Sequence, residues 1–234
     1  MKFLLETLSP INIGNASVLS PYSDYYYDNG FVYYINQDRL SQEIAKLPNA
    51  DEVTDKYVAF IKQQSKSNNP EKYNIKDFLM DAGIDLLHVA NVKLEANTKI
   101  TEEINRTINT SGRPYIPGST LKGAIRTGIM VSEYLDSKNF DYYQAKRING
   151  YIGQELFGNY DKDIFKHLAV SDTSLFSEKD KKVIKTYRYN LKTNQKTIPV
   201  VKEVIKTGSF AEFSIKTMGN EKIHNINQKH SYLL

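Results

Sequence analysis

The sequence contains no cysteine. That absence removes disulfides and thiolate metal sites together, and it points to a reducing compartment. No apolar run approaches the ~18 residues that a membrane-spanning helix needs. Met1-Lys2-Phe3-Leu4-Leu5-Glu6 is too short, and too soon charged, for a signal peptide. A cytoplasmic protein without a membrane partner is therefore expected. Histidine is scarce: His88, His167, His224 and His230 are all there are, and none stands at metal-ligand spacing. Neither a metal nor another cofactor is expected.

What is present is ordinary in bulk. A chain of 234 residues, 40% hydrophobic and 25% charged, can bury a core as one large domain or two small ones. The net charge of +4 is modest and by itself selects no partner. Its distribution is uneven. From Lys179 to Lys206 nine lysines and arginines face only Asp180 and Glu203, a net +7. Such a segment suits phosphates, and it equally suits an edge hairpin protected from aggregation by its lysines.

Hydrophobic periodicity gives a coarse map. Lys2 to Ser9 reads as a strand, and Asp24–Tyr27 with Phe31–Ile35 reads as a hairpin turning at Asn29-Gly30. Asp38 is expected to cap a helix running to about Lys46, and helices are expected over Val53–Lys62 and Ile75–Asp81. Ser65 to Lys72 reads as a loop. Thr120 to Leu135 is the strongest helix, with Leu121, Ala124, Ile125, Gly128, Ile129 and Leu135 as its apolar face; Phe140 to Phe157 suggests another. His167–Val170, a hairpin of Val183–Tyr189 with Ile198–Ile205, and Ser209–Lys216 complete the strands. Strands, then a helix, then more strands predict an α+β fold with helices on one face of a sheet. One domain over 1–217 is expected, carrying an insertion at about 51–110 and followed by a polar tail at 218–234.

The most specific segment is Gly112-Arg113-Pro114-Tyr115-Ile116-Pro117-Gly118-Ser119-Thr120-Leu121-Lys122-Gly123-Ala124-Ile125-Arg126. Pro117-Gly118 supplies a tight turn and Ser119 a natural N-cap. At the third helical position, where Glu or Gln would complete a capping box, stands Lys122. A cation there opposes the helix dipole by about 0.3–1 kcal/mol. Arg126 adds like-charge repulsion of roughly 0.2–0.5 kcal/mol one turn later. Gly123 costs about 1 kcal/mol relative to alanine. A phosphate bound by backbone N–H groups, Lys122 and Arg126 would account for all three, with Gly123 allowing close approach. The competing account is a surface helix with solvated cations and a glycine required for packing.

Those residues resemble the signature of the repeat-associated mysterious proteins, the RAMPs that build CRISPR effector complexes. Leu8-Ser9-Pro10-Ile11-Asn12-Ile13-Gly14 is similar to the family's Pro-Ile-His-Ile-Gly loop. Leu168-Ala169-Val170-Ser171-Asp172 and Ile198–Ile205 resemble later family segments. Together they look most like the fifth subunit of the type III-A Csm complex. The resemblance implies a ferredoxin-like fold of RNA-recognition-motif type, with an inserted helical subdomain, and a non-catalytic subunit that caps the 3′ end of the CRISPR RNA (crRNA) and supports its maturation in antiviral defence. It implies crRNA, other Csm subunits (above all the neighbouring backbone subunit) and host nucleases of crRNA maturation as partners. It also implies RNA contact at Gly118, Ser119, Thr120, Lys122, Gly123 and Arg126, and at Gly14. Arg113 and Tyr115 flank the loop, Tyr115 as a candidate for base stacking. The sequence departs from the pattern at Asn12, where histidine is usual, and at Lys202, where arginine is usual. It also lacks the family's second half with its later glycine-rich loop.

The alternative is a metal-dependent endoribonuclease of single-stranded RNA using Asp24, Asp28 or Asp172. Asp172, after its strand, is also suited to hydrogen-bonding the following loop. The seventeen tyrosines invite a stacking reading, but Tyr25-Tyr26-Tyr27 and Tyr33-Tyr34 alternate like sheet residues, so half should face a core.

Overall fold

The alternating tyrosines sit between two hydrophobic cores. In the computed structural model, residues 1–64, 74–136, 154–158 and 163–217 are described. The chain begins with β1 (Lys2–Glu6), β2 (Gly14–Leu19), β3 (Tyr25–Asp28) and β4 (Phe31–Ile35). Next come α1 (Gln37–Ala45), α2 (Ala50–Gln64), α3 (Ile75–Asp81), the single turn α4 (Leu86–Val89) and β5 (Ala90–Glu95). β6 (Ile104–Thr107) and the short β7 (Asn109–Thr110) and β8 (Arg113–Pro114) lead to α5 (Gly118–Asp136). A turn of helix, α6 (Gln154–Phe157), and a 3-10 turn (Ile164–His167) precede β9 (Leu168–Val170), β10 (Lys181–Asn190), β11 (Gln195–Ile205) and β12 (Phe210–Thr217). The expected α+β class with predominantly antiparallel sheets is what forms.

The elements cluster into two compact units. One holds Met1–Leu5, the described part of Tyr115–Leu175, and the strand from Phe210 onward. The other holds Glu6–Pro114 and Phe176–Ser209. The segment 51–110, expected as an insertion, lies wholly in this second unit beside β2, β3, β4, β10 and β11. The expected loop at 65–72, most of the helix expected over 140–157, and the tail at 218–234 lie outside the described residues.

In the second unit β3 and β4 pair antiparallel, Tyr25 opposite Tyr34 and Asp28 opposite Phe31, through Asn29 and Gly30 at φ 45° and 85°. Both residues therefore occupy the left-handed region that a type I′ hairpin turn requires. β5 adds to β4 as the third strand. The period-two alternation then serves two cores. Tyr26 and Ile35 face a helical core with Leu40, Ile44, Val53, Phe60, Phe78 and Leu79. Tyr25, Val32 and Tyr34 face the other way, onto Ile104, Val183 and Val201 of the sheet ordered β10-β11-β6-β2. Helices, a three-stranded sheet and a four-stranded sheet thus form three layers. Both faces of the tyrosine hairpin are covered, so the expectation that one half only meets a core is corrected. Asn36, not Asp38, caps α1, its side chain accepting from the Arg39 N–H at 3.0 Å.

Charge is buried where the layers meet. The Glu203 carboxylate accepts the Tyr34 hydroxyl at 2.7 Å and lies 3.9 Å from Lys181 Nζ, all three side chains being buried. Burial drives the Lys181 ammonium below its ordinary pKa of 10.5, against the attraction of Glu203. Burial, and then Glu203, raises the Tyr34 phenol. Removing one member of a buried pair leaves the other unpaired, a loss of about 3–5 kcal/mol. Glu203→Ala is accordingly expected to lower unfolding free energy by about that amount in urea titrations.

Tyr26 moves from 10.0 to about 12, first by burial and then by Tyr33 and Asp28. A phenol raised in the folded state binds its proton more tightly there than in the unfolded chain. The resulting stabilisation is complete below pH 10 and is lost as the pH climbs toward 12. Stability is expected to fall over that interval, with the tyrosinate absorbance of Tyr25, Tyr26 and Tyr34 appearing together with loss of circular dichroism rather than before it.

Candidate nucleic-acid interface

The first unit is organised around the start of α5. Its sheet has the order β1-β12-β9, with Phe3 stacked on Phe213 at 5.4 Å. After β9 the chain runs back past the helix start. Thr173 N–H donates to the Ile116 carbonyl at 3.0 Å, and the Thr173 hydroxyl accepts the Ile116 N–H at 2.9 Å. The helix begins at Gly118, one residue before the expected cap Ser119. Its first N–H donates to the Asp172 carboxylate at 2.7 Å. A side-chain anion at the positive end of a helix is the arrangement the dipole favours. Gly118 is fixed by packing: a Cβ there would stand 2.1 Å from the Val170 carbonyl oxygen and 2.7 Å from the Ser171 carbonyl carbon.

The two cations that seemed misplaced have partners in the same unit. Lys122 Nζ donates to the Leu168 carbonyl at 2.7 Å. Arg126 donates to Asp163 at 2.7 Å and lies 4.4 Å over the Phe157 ring, which in turn meets Phe165 edge-on at 5.0 Å. The dipole argument for a bound phosphate therefore loses its force, because the helix start is compensated by Asp172 and the cations by groups after the helix. The expected apolar face is narrower as well. Leu121 is buried, Ile125 and Ile129 are half-buried, and Ala124 and Gly128 are exposed.

Two glycines of the helix remain unexplained. Gly123 and Gly128 are exposed, and no described residue lies within 4 Å of where either Cβ would be. Packing among the described residues requires neither glycine, and helix propensity opposes both. Gly123, in the first turns, shares an open helix surface with Thr120, Ala124 and Thr127. Ser119 and Tyr115, exposed and half-buried, also belong to this unit. Gly14 and Arg113 belong to the second unit. Gly14 opens β2 and is exposed, and Arg113 Nε donates to the Phe176 carbonyl at 3.3 Å. Asn12, at the usual histidine position, donates to the Glu203 carbonyl at 2.9 Å.

The basic segment of 179–206 divides in two. At its base Lys181 is buried beside Glu203, Lys185 pairs with Glu102, and Lys206 pairs with Glu95 at 3.0 Å. Toward the tip, Arg188, Lys192 and Lys196 have no ion pair among the described residues. Tyr187 and Tyr189 are 48% and 53% exposed there, and Lys196 Nζ lies 5.4 Å from the Tyr187 ring centre. The ladder shifts register between Tyr187 and Tyr189, close to Pro199, an irregularity of the kind that increases local strand twist. Sequence reading recognised the charge but not these two tyrosines. Their alternation with Arg188 in a run more polar than its base was the available signal.

Each candidate catalytic aspartate has a local partner. Asp24 accepts from Ser20 N–H at 2.8 Å and Ser23 Oγ at 2.9 Å, Asp28 pairs with Lys76 at 2.7 Å, and Asp172 holds Gly118. Among the described residues no three of His, Asp and Glu are grouped to hold a metal, and no helix is long and apolar enough to cross a membrane.

The RAMP superfamily model matches residues 4–231, a span containing the α5 start, the hairpin and β2. The chain belongs to the RAMP superfamily. It is 28% identical over 246 aligned residues to a Csm5 protein of Methanocaldococcus jannaschii, covering 98% of this chain and 55% of the relative. It is 27% identical to Csm5 of Streptococcus thermophilus, covering 94% of this chain and 64% of the relative. The chain thus spans between about half and two thirds of the length of these relatives. Among solved structures, T. onnurineus Csm5 superposes with a TM-score of 0.71 at 24% identity, over 98% of this RAMP chain and 70% of that one. A chain of a Csm–crRNA–target RNA ternary complex from a type III-A CRISPR–Cas system gives 0.66 at 21% identity, over 97% and 66%. These likenesses show the shared fold, and the resemblance to the fifth Csm subunit seen in the sequence holds.

Gly118 and Gly123 separate the packing role from the open surface of α5. Gly118→Ala is expected to destabilise by about 1–3 kcal/mol, since backbone must move. Gly123→Ala is expected to stabilise the isolated chain by about 0.5–1 kcal/mol. Paired urea melts read both signs.

Proposed function

We propose that this RAMP is a cytoplasmic, crRNA-binding subunit of a type III-A Csm effector complex. In this reading it caps the 3′ end of the crRNA, supports crRNA maturation and performs no chemistry itself. The observation that carries the reading is the tip of the β10–β11 hairpin. Tyr187 and Tyr189 stand exposed among Arg188, Lys192 and Lys196, and no protein group neutralises those cations among the described residues. Rings interleaved with cations suit single-stranded RNA, because bases stack on aromatics while the cations follow the backbone. Similarity to Csm5 proteins, and to a chain of a Csm–crRNA–target RNA complex, supports it.

The second contact is the open surface of α5. Ser119, Thr120 and Gly123 meet the sugar–phosphate backbone there, Gly123 admitting it where a side chain would stand in the way. Gly118, Lys122 and Arg126 contribute by holding the loop against 163–172, and Arg126 and Lys122 reach RNA only by exchanging their present partners. Gly14, Arg113 and Tyr115 complete the proposed contacts. The partners are crRNA and the other Csm subunits, chiefly the neighbouring backbone subunit, with host nucleases acting on the exposed crRNA end.

Fluorescence anisotropy with a labelled single-stranded RNA tests this. Binding is expected to weaken steeply with salt and to depend little on base sequence. Replacing Tyr187, Arg188 and Tyr189 together by alanine is expected to weaken it about tenfold and to flatten the salt dependence. Gly123→Ala is expected to weaken binding while raising stability. Unchanged affinity and unchanged co-purification with Csm subunits in both variants would overturn the proposal.

A further inference from the structure

Arg106 lies on β6 opposite an irregularity in β2. Gly14 pairs with Thr107 and Val18 with Asn105, so three β2 residues face Arg106 where a regular ladder would place one. Ala16, within this bulge, has φ 64°, a left-handed conformation uncommon for a residue with a side chain. The bulge breaks the edge of the sheet and leaves a cleft of about 350 Å³ in the second unit. Ligand sites have volumes of this order, and bulges are enriched beside functional sites.

The cleft has a mixed chemistry. Val18, Leu19, Ile35 and Val92 give it apolar walls, and Arg106 and Asp24 give it one cation and one anion. Arg106 Nε is buried without a hydrogen-bond partner. Glu203, on the adjacent strand β11, has the same deficit at Oε1. The Arg106 guanidinium carbon lies 5.9 Å from the Tyr34 ring centre, and Tyr34 is fixed by its bond to Glu203. Arg106 therefore rests on a rigid, buried support and has no ion-pair partner among the described residues. The Asp24 carboxylate receives Ser20 N–H and Ser23 Oγ, which leaves each oxygen a lone pair.

An isolated phosphate suits this cleft poorly, because Asp24 repels it and the walls are apolar. A planar, neutral group with an acceptor edge and a donor edge suits it well. We propose that the cleft binds a guanine base, with Arg106 donating to the O6/N7 edge and Asp24 accepting from the N1–H and N2–H edge. Arginine to O6 and N7 of guanine is the commonest specific base contact, and carboxylates accept from base amino groups. The inference deepens the RNA-binding reading and rests on it for the source of the base: one guanosine of the bound strand, unstacked beside β2, while the hairpin tip of the same unit holds the backbone irrespective of sequence.

Isothermal titration calorimetry of the full chain with 5′-GMP, 5′-AMP, 5′-CMP and inorganic phosphate tests it. GMP is expected to bind with AMP and CMP at least about tenfold weaker, the scale of one bidentate base contact, and with no heat from phosphate. Arg106→Gln is expected to abolish GMP binding. Because that change removes the cation packed near the Tyr34 ring, Val18→Trp provides a second variant: Val18 lines the cleft and is 44% exposed, and indole there is expected to fill its mouth. Loss of GMP binding in a folded Val18→Trp protein supports the site. Equal binding of all three nucleotides, binding of phosphate alone, or full GMP binding by Val18→Trp overturns it. The hairpin variant separates the two readings. If it loses RNA but keeps GMP, the cleft and the hairpin are both supported as distinct sites. RNA binding by wild type without any response to GMP sinks the cleft alone.

Discussion

A helix begins with amide hydrogens that no residue of its own can accept, and here the first of them goes to Asp172. That bond fixes where α5 starts. It also draws the backbone of Val170 and Ser171 so close that position 118 admits no side chain. Once the start is fixed, Lys122 reaches the Leu168 carbonyl and Arg126 reaches Asp163. Three groups along the first turns of one helix thus converge on a single later stretch of chain. The RAMP signature around Gly118 works first as a device for setting a helix on a strand end, and the surface it offers outward is what that setting leaves uncovered.

Local signals were legible in the sequence where the partners are near. Ile75–Asp81 forms with the expected bounds because Asn74 and Asp77 close a capping box around its first turn. The Asn29-Gly30 turn placed β3 and β4 in register, and β12 follows the alternation of Phe210, Phe213 and Ile215. The family signature was likewise visible, since it is a contiguous string. What could not be read were partners far along the chain. Asp163, Leu168 and Asp172 lie 37, 46 and 54 residues from the groups they engage. Without them the cations looked unpaid by anything but a ligand. Arg106 was passed over for a similar reason, because its position opposite a bulge depends on the pairing of β2 with β6.

The hairpin shows how one charged segment can hold two kinds of cation. Near the sheet, lysines are drawn into the fold by Glu203, Glu102 and Glu95. Toward the tip, around the register shift and beyond it, Arg188, Lys192 and Lys196 pair with no acid among the described residues. Composition counts these residues alike. Their environments do not, and the difference follows from which of them still have a second layer beneath the strand.

The middle sheet has a consequence for folding fidelity. Since β4 sends Val32 and Tyr34 to one core and Tyr33 and Ile35 to the other, a slip of a single residue would swap their destinations. A sheet with one wet face can hide such an error on the solvent side. Here there is no such refuge, so a tight turn of two residues proofreads the assembly of both layers at once.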